Sequence, residues 1–311
     1  MTTGDSEANS EPCVGVLGPL DVRDCDGNPV VITSRRERAL LEWLAVRAPE
    51  TVSLPSLIDI LWPDNPPSSA TQTTQTLVYR LRKRLGRDVI VTDGRGYRLG
   101  TPPENLDLWW VAERTRVGLR LLRAGHRPAA HAALQDAVGL WRGAPLADLE
   151  PSPWTEAETR RLDEQHEQLV DTLHDVQLDL GAAGDLIGEL SRLTARAPLN
   201  EKRWSQLLLA LYRAGRQADA LDAYQRARSE LIGQLGIEPG QALRRLEAQI
   251  LAHDPALDVP TSPPATPPPD THAIALPVPS HAPVGFCGRS TAVPRSPGQR
   301  STTRPCAGHH R

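Results

Sequence analysis

A short stretch of the chain combines side chains that can hydrogen-bond to nucleic-acid bases with side chains that can hold phosphates. The segment Ser69–Leu85 has the sequence SATQTTQTLVYRLRKRL. If it is helical, one side carries amide, hydroxyl and guanidinium groups, which read base edges, together with cations, which bind phosphates. The residues on that side are Gln75, Thr76, Tyr79, Arg80 and Lys83, with Arg82 and Arg84 on its flanks. An isolated basic helix is equally compatible with a solvated surface, so the neighbouring elements must decide.

The spacing of the remaining residues in this segment predicts the helix itself. Ser69 and Gln72 have the spacing of a capping box, which marks a helix start. The positions expected to be buried recur at intervals of four, three and four residues: Thr74, Val78, Leu81 and Leu85. This periodicity places them in one narrow stripe opposite the polar side.

The chain ahead of this segment predicts a small sheet followed by two helices. Three apolar runs separated by turn-forming residues indicate antiparallel strands, at Val14–Leu17, Leu20–Val22 and Val30–Ile32. Ser34 and Glu37 form a second capping-box pattern. The helix that they open has its apolar residues at Leu40, Leu41, Leu44 and Ala45. A short second helix is expected over Leu54–Trp62. It should end there because a proline follows directly.

The chain after the segment predicts a β-hairpin with a basic tip. Runs of β-forming residues at Val89–Thr92 and Tyr97–Leu99 flank the turn sequence Asp-Gly-Arg-Gly, which places Arg95 at the tip. A sheet, three helices and a basic hairpin in this order are typical of a winged helix-turn-helix. Its third helix enters the major groove and its hairpin reaches toward the backbone or the minor groove. We therefore assign residues 13–101 to a winged-helix DNA-binding domain of the OmpR type, which the leading sheet indicates.

Charge and cysteine usage agree with a cytosolic protein that binds DNA through a local patch. The formal net charge is −3, yet Ser69–Gly100 contains seven basic and two acidic residues. Four cysteines are scattered without a Cys-x-x-Cys pair, which argues against a zinc site and a disulfide framework. No apolar run approaches the length of a membrane span, and the polar N-terminus does not resemble a signal peptide. The expected location is the cytoplasm, in association with the nucleoid.

Residues 105–253 change to a purely helical pattern with an internal repeat. The best-defined unit matches the spacing of a tetratricopeptide helix pair, with Trp204, Leu207, Leu211, Gly215, Ala220, Tyr224 and Ala227. Gly181 lies 34 residues before Gly215, and this frame places Leu186, Leu190 and Pro198 in a preceding unit. A more diverged unit runs through Leu122, Gly125, Ala130 and Leu134. The pattern predicts an all-α, tetratricopeptide-like domain whose repeat residues form its core. The whole chain is thus expected to be mainly α.

The two ends of the chain have the composition of disordered segments. Residues 1–12 are polar, and residues 254–311 hold 13 of the 29 prolines. We therefore expect an N-terminal disordered segment and a Pro-rich disordered tail. One hypothesis is that this tail is the remnant of a longer regulator ended by a frameshift. Translating the other reading frames downstream of the Val284 codon should then recover a phosphate-binding loop, and finding none would refute it.

Five strings in the sequence are similar to those of a known family, the Streptomyces antibiotic regulatory proteins. In the first domain they are ILWPDNPPSSATQTTQTLVYRLRKRLG and VIVTDGRGYRLG. In the second they are LWRGAPLADL, APLNEKRWSQLLLALYRAGRQADALDAYQRAR and LGIEPGQALRRLEAQIL. The resemblance implies an OmpR-type winged helix followed by a bacterial transcriptional activator domain of tetratricopeptide-like helices. It covers Val14–His253.

The resemblance also implies a function and a set of contacts. Such a protein would activate biosynthetic genes, often clustered ones for secondary metabolites, by binding short direct repeats near a promoter as side-by-side protomers and engaging RNA polymerase. Thr74–Lys83 would be the recognition segment, and Arg95 with Tyr97 would form the wing. Tyr79 departs from the family pattern, which has a small polar residue there. Larger members continue into an ATPase domain, but this sequence has no G-x-x-x-x-G-K-[ST] loop and stops before one.

The sequence offers no residues for catalysis, and two non-enzymatic functions stay open. His126, His131, His166 and His174 are spread along helices without a metal-ligand spacing. The serines lack the context of a nucleophile elbow, so we expect no catalytic residue, no metal and no cofactor. The first function is a DNA-binding activator. The alternative is an adaptor whose tetratricopeptide groove binds a partner and whose winged helix is vestigial.

Overall fold

The computed structural model describes residues 13–24, 26–94 and 96–259. The first domain contains β1 (Cys13–Gly15), β2 (Asp21–Arg23), α1 (Arg35–Arg47), β3 (Val52–Ser53), α2 (Leu54–Leu61), α3 (Ala70–Leu85), β4 (Ile90–Asp93) and β5 (Gly96–Leu99). The second contains α4 (Asp107–Arg123), α5 (Arg127–Val138), α6 (Pro153–Asp179), α7 (Ala183–Arg196), α8 (Glu201–Arg213), α9 (Gln217–Leu235) and α10 (Gln241–Leu251). Within these ranges, every helix is too short or too polar to span a membrane.

The N-terminal sheet is smaller than the sequence predicts. β1 and β2 pair antiparallel with Val14 opposite Val22, but Val30–Ile32 forms no third strand. Only a single bridge joins Arg23 to Pro29, and the backbone N–H of Val30 donates to Val22. Since Pro29 has no N–H to donate, it interrupts the ladder that a third strand would need. The hairpin β4–β5 pairs with β3 in a second sheet, in the order β3-β5-β4.

Of the two predicted capping boxes, one forms by half and the other does not form. Ser34 caps α1 by accepting from the backbone N–H of Glu37, while the Glu37 side chain turns toward α3 instead of back to Ser34. Ser69 precedes α3 but makes no side-chain cap, so the predicted box with Gln72 is wrong. Its backbone lies at φ −89° and ψ 10°, outside the extended conformation that aims a capping hydroxyl at the helix.

The helical domain repeats one turn three times, which confirms the predicted repeat frame. Gly125, Gly181 and Gly215 each follow the first helix of a pair and have φ values of 80°, 88° and 74°. In each turn the residue after the glycine donates its N–H to a carbonyl five residues back, at 2.9, 3.0 and 2.9 Å. These are Schellman turns, which require a residue that tolerates positive φ. They join α4 to α5, α6 to α7 and α8 to α9.

α10 ends with the same turn, although in the described chain only a short 3-10 helix, Pro255–Leu257, follows it. His253 has φ 51°, and the N–H of Asp254 donates to Gln249 over 3.0 Å. The chain then turns back, Leu257 is buried, and the Arg213 guanidinium donates to the carbonyl of Leu257 over 2.7 Å. The folded part therefore extends beyond residue 253, where the sequence placed its end. The expected disorder of residues 1–12 and 260–311 falls outside the described residues.

The two domains pack around one continuous core. Residues from β1, α1, α3 and the hairpin share a cluster with residues from α4, α5 and α6. At the junction, the Asp107 carboxylate accepts the N–H of Leu17 at 2.9 Å and pairs with Arg142 at 3.1 Å. The N–H of Arg142 donates to the carbonyl of Leu17 at 2.7 Å. Gly18 between them has φ +136°, and a side chain there would lie 2.9 Å from Arg142 Cβ.

A second carboxyl group, that of Glu42 in α1, is buried where the domains meet. It has no exposed surface, and neither of its oxygens has a hydrogen-bond partner. Burial raises its pKa to about 8, and the nearby Asp148 carboxylate adds to the shift, while Arg38 and the backbone of Asp148 oppose it. Arg38 itself pairs with Asp148 at 2.9 Å, so this ion pair crosses the junction beside Glu42.

Glu42 should therefore make the fold less stable as the pH rises. The pKa of an unfolded glutamate is ordinary, near 4.5, so between about pH 4.5 and 8 the unfolded chain releases a proton that the folded protein keeps. Glu42→Gln removes this titration. We expect the free energy of unfolding of Glu42→Gln, relative to wild type, to increase from about pH 5 to pH 8 in urea titrations. A Glu42→Gln difference that ignores pH would contradict the account.

Candidate nucleic-acid interface

The buried side of α3 fixes which of its residues can face a ligand. Ala70, Leu77, Val78 and Leu81 are buried against the first-domain core, as is Thr74. Thr74 has no exposed surface, and its hydroxyl donates to the carbonyl of Ala70 at 2.9 Å. Its place in the buried stripe is confirmed. Its assignment to the DNA-contacting set is wrong, because the side chain is enclosed by the core and its donor is already used.

The opposite side of α3 is an exposed polar face. Its residues, spaced three or four apart, are Gln72, Gln75, Thr76, Tyr79, Arg80 and Lys83. Tyr79 is 66% exposed, so the ring projects from the helix with no core to cover it. The Thr76 hydroxyl donates to the carbonyl of Gln72 at 2.8 Å, which leaves its lone pairs facing outward. We call this set the α3 polar face.

Gln72 belongs to the α3 polar face, although it was not among the residues predicted to contact DNA. It was interpreted as the partner of Ser69 in a capping box that does not form. The signal that could have found it is its position one turn before Gln75 and Thr76, because residues three and four apart share a helix face. It also lies in the N-terminal part of α3, the part of a recognition helix that commonly reaches base edges.

Arg82 links α3 to the hairpin. Its Nε donates to the carbonyl of Ile90 and its Nη2 to the hydroxyl of Thr92, both at 2.8 Å. The guanidinium also lies 6.0 Å from the centre of the Tyr97 ring. Arg82 is therefore a brace that sets the position of the wing relative to the helix. Arg82 was predicted to contact DNA, but these contacts turn its guanidinium toward the protein.

Arg84 and Arg80 face the buried carboxylate of Glu37. The Glu37 side chain is 4% exposed, and its oxygens lie 3.5 Å from Arg84 Nη1 and 3.8 Å from Arg80 Nη1. Arg84 Nη1 also donates to the carbonyl of Val31 at 3.3 Å. Arg84 is thus turned back toward α1, whereas Arg80 is 61% exposed and makes only the longer contact. Of the two predicted DNA contacts, the geometry favours Arg80.

The predicted wing forms as a tight hairpin. Thr92 pairs with Tyr97 and Asp93 with Gly96, and the Asp93 carboxylate accepts the hydroxyl of Thr51 at 2.8 Å. A side chain at Gly96 would overlap the carbonyl oxygen of Val52, because β3 crosses directly beside it. Tyr97 is half-buried in the central strand β5, so it supports the wing. Arg95, the predicted tip, lies outside the described residues.

Two histidines of the helical domain, His166 and His174, lie in packed surroundings. His166 stacks on Trp141 with ring centres 4.6 Å apart, and His174 is buried beside Glu189. Burial lowers the pKa of both rings, which favours the neutral form. The described residues contain no group of three or more side chains placed to hold a metal ion. The α3 polar face, by contrast, is a continuous, outward-facing surface of side chains suited to nucleic-acid recognition.

Comparison with known families defines the class of the protein. The family of the bacterial transcriptional activator domain matches residues 106–251. The family described as transcriptional regulatory protein, C terminal, matches residues 27–99. A winged helix whose third helix is exposed, followed by this helical domain, defines a DNA-binding transcriptional regulator and not an enzyme.

Full-length relatives narrow the class to one family. The chain is 34% identical to the regulatory protein DnrI of Streptomyces peucetius over 79% of its own length and 94% of that protein. It is 32% identical to the transcriptional regulator RedD of Streptomyces coelicolor, covering 83% and 76% of the two chains. The chain belongs to the Streptomyces antibiotic regulatory protein family. This membership supports the first of the two functions left open by the sequence, the DNA-binding regulator.

Two further comparisons mark how far the similarity extends. The chain is 38% identical to the regulatory protein AfsR of Streptomyces griseus, but it spans only 26% of that protein. Its fold matches the solved structure of Mycobacterium tuberculosis EmbR in complex with a low-affinity phosphopeptide, with a TM-score of 0.74 and 33% identity. That match covers 79% of this chain and 66% of the EmbR chain.

Arg82 and Lys83 are neighbours with opposite expected roles. Arg82→Ala should remove both hydrogen bonds to β4, lower the free energy of unfolding by about 1 kcal/mol and speed amide hydrogen exchange in β4 and β5. Lys83→Ala is the matched control. Its side chain is exposed, so we expect little change in stability or exchange. Equal hydrogen exchange of the hairpin in the two variants would contradict the brace.

Proposed function

We propose that this protein activates transcription of a secondary-metabolite biosynthetic gene cluster. It binds short direct repeats near the promoter as side-by-side protomers and engages RNA polymerase. The observation that carries the DNA contact is the α3 polar face, which is exposed along its length beside a braced wing. The target class, the direct repeats and the pairing of protomers rest on family resemblance. The wing, including Arg95, lies along the backbone or the minor groove.

Within the α3 polar face, each residue type has a distinct task. Gln72, Gln75 and Thr76 read base edges, because an amide can bond to adenine at two atoms and the exposed Thr76 hydroxyl can still accept a hydrogen bond. Lys83 and Arg80 hold phosphates. Tyr79 offers a flat apolar surface, which suits contact with a thymine methyl group. The base preference at that point should therefore differ from that of relatives with a small polar residue.

The surface of α6 supports contact with a basic protein partner. A groove of about 650 Å³ between α6 and the preceding loop is lined by Glu156, Asp163, Glu164 and Glu167, with Arg160 as its single cation. All four carboxylates are exposed. Such a surface repels DNA and attracts a positively charged protein segment. We assign the polymerase contact to this groove.

The two kinds of DNA contact can be separated by salt dependence. Lys83→Ala and Arg80→Ala should each weaken binding to all sequences and reduce the salt dependence by roughly one phosphate contact. Gln75→Ala should instead relax preference at particular base pairs and leave the salt dependence unchanged. Fluorescence anisotropy on a promoter fragment and its point variants measures both. Arg120→Ala on α4 is the control. Binding that ignores the three α3 changes would refute the proposed contacts.

The activator role predicts a class of variants that bind DNA but do not activate. Footprinting on promoters of the neighbouring genes should protect two direct repeats about one helical turn apart. On such a template, Asp163→Lys with Glu164→Lys, two exposed groove carboxylates, should keep DNA affinity and lose stimulation of RNA polymerase in run-off transcription. Glu230→Lys, an exposed change on α9, is the matched control. Full stimulation by the double variant would contradict the α6 contact, and absence of protected repeats would refute binding to direct repeats at these promoters.

A further inference from the structure

A cavity of about 600 Å³ lies on the seam between the two domains, and we call it the seam cavity. Its first-domain wall is the end of α1 and strand β5, and its second-domain wall is α4 and α6. The connecting segment Gly100–Pro103 closes one side. The volume falls in the range of small-molecule sites, which often form between domains. None of the residues to which the proposed function is assigned lines this cavity.

The lining of the seam cavity is largely apolar. Val46, Pro49, Leu106, Leu108 and Ala112 contribute aliphatic surface. Trp109 adds a half-buried indole, which is held edge-to-face against Trp110 with ring centres 4.9 Å apart. A ring fixed in this way presents a flat surface for a flat ligand at low entropic cost.

The charges of the seam cavity are of one sign. Arg98 and Arg161 are its charged lining residues, and no carboxylate lines it. Arg161 is paired with Glu158, but Arg98 is in none of the ion pairs found among the described residues and donates only a 3.5 Å bond to Leu99. The neighbouring cavity of about 590 Å³ differs, since Glu50, Asp59 and Glu158 line it. Unlike its neighbour, the seam cavity therefore combines apolar walls with a guanidinium that has no ion-pair partner among the described residues.

We propose that the seam cavity binds a small, flat, apolar molecule that carries one anionic group, such as an aromatic carboxylate or sulfonate. The rings lie against Trp109 and the aliphatic wall, and the anion pairs with Arg98. Arg98 belongs to β5, the central strand of the sheet that carries the wing, so the ligand touches a DNA-binding element and the helical domain together. This site goes beyond the proposed function, which requires no small molecule.

Two probes that differ by one charge test the site in the full chain. They are 8-anilinonaphthalene-1-sulfonate and its uncharged relative N-phenyl-1-naphthylamine, titrated by fluorescence without DNA. Arg98→Leu should weaken sulfonate binding about tenfold and leave the neutral probe unchanged. Ala112→Trp, which fills the cavity from an exposed helix position, should abolish binding of both probes and retain DNA binding. Arg120→Leu, the same chemical change outside the cavity, should alter neither.

The outcomes are decisive in both directions. The proposal is overturned if Arg98→Leu affects the two probes equally, or if the Ala112→Trp protein still binds them, because the probes then lie elsewhere. Ala112→Leu provides a smaller filling if tryptophan prevents folding, and it should weaken both probes in the same way. Because the titration contains no DNA, its failure leaves the proposed DNA-binding function standing.

Discussion

The buried carboxylate of Asp107 is the contact on which the arrangement of the two domains depends. It lies at the start of α4, accepts the N–H of Leu17 from the first domain and pairs with Arg142 of the loop after α5. The same guanidinium donates to the carbonyl of Pro19 at 3.0 Å. A buried carboxylate that loses a hydrogen-bond or ion-pair partner raises the free energy of the fold. Separation of Leu17 or Arg142 from Asp107 is therefore unfavourable, and this junction resists relative motion of the domains. The winged helix and the helical domain therefore act as one packed body, with the α3 polar face on its surface.

Within that body, the side chains of α3 have three roles: some are buried in the core, some hold neighbouring elements in place, and some form the α3 polar face. Only part of this division could be predicted from the sequence. The buried stripe and the exposed face followed from periodicity, because burial on a helix repeats with its turns. The roles of Arg82 and Arg84 did not follow, because their partners, Ile90, Thr92 and Glu37, are brought close by tertiary folding. The absence of a side-chain cap at Ser69 has a similar cause, because the backbone of Ser69 does not adopt the extended conformation that a capping hydroxyl needs. Gln72 was thereby missed.

The helical domain was predictable to the level of single turns for a physical reason. A Schellman turn needs positive φ, so the glycines at 125, 181 and 215 carry a signal that survives divergence of the core residues. The end of the domain was harder, because His253 makes the same turn without glycine and the chain then packs back through Leu257. The loss of the third N-terminal strand traces to Pro29. The seam cavity left no pattern in the sequence, since its walls come from distant segments.

The central claim is that α3 presents Gln72–Lys83 to the major groove, and site-directed photo-crosslinking tests it most directly. A benzoylphenylalanine is placed at Gln75, or at Glu230 on α9 as the control, and each protein is irradiated while bound to a promoter fragment. The account predicts crosslinks from position 75 to bases inside each protected repeat, and none from position 230. Bound protein that crosslinks from position 230, or from neither position, would contradict it.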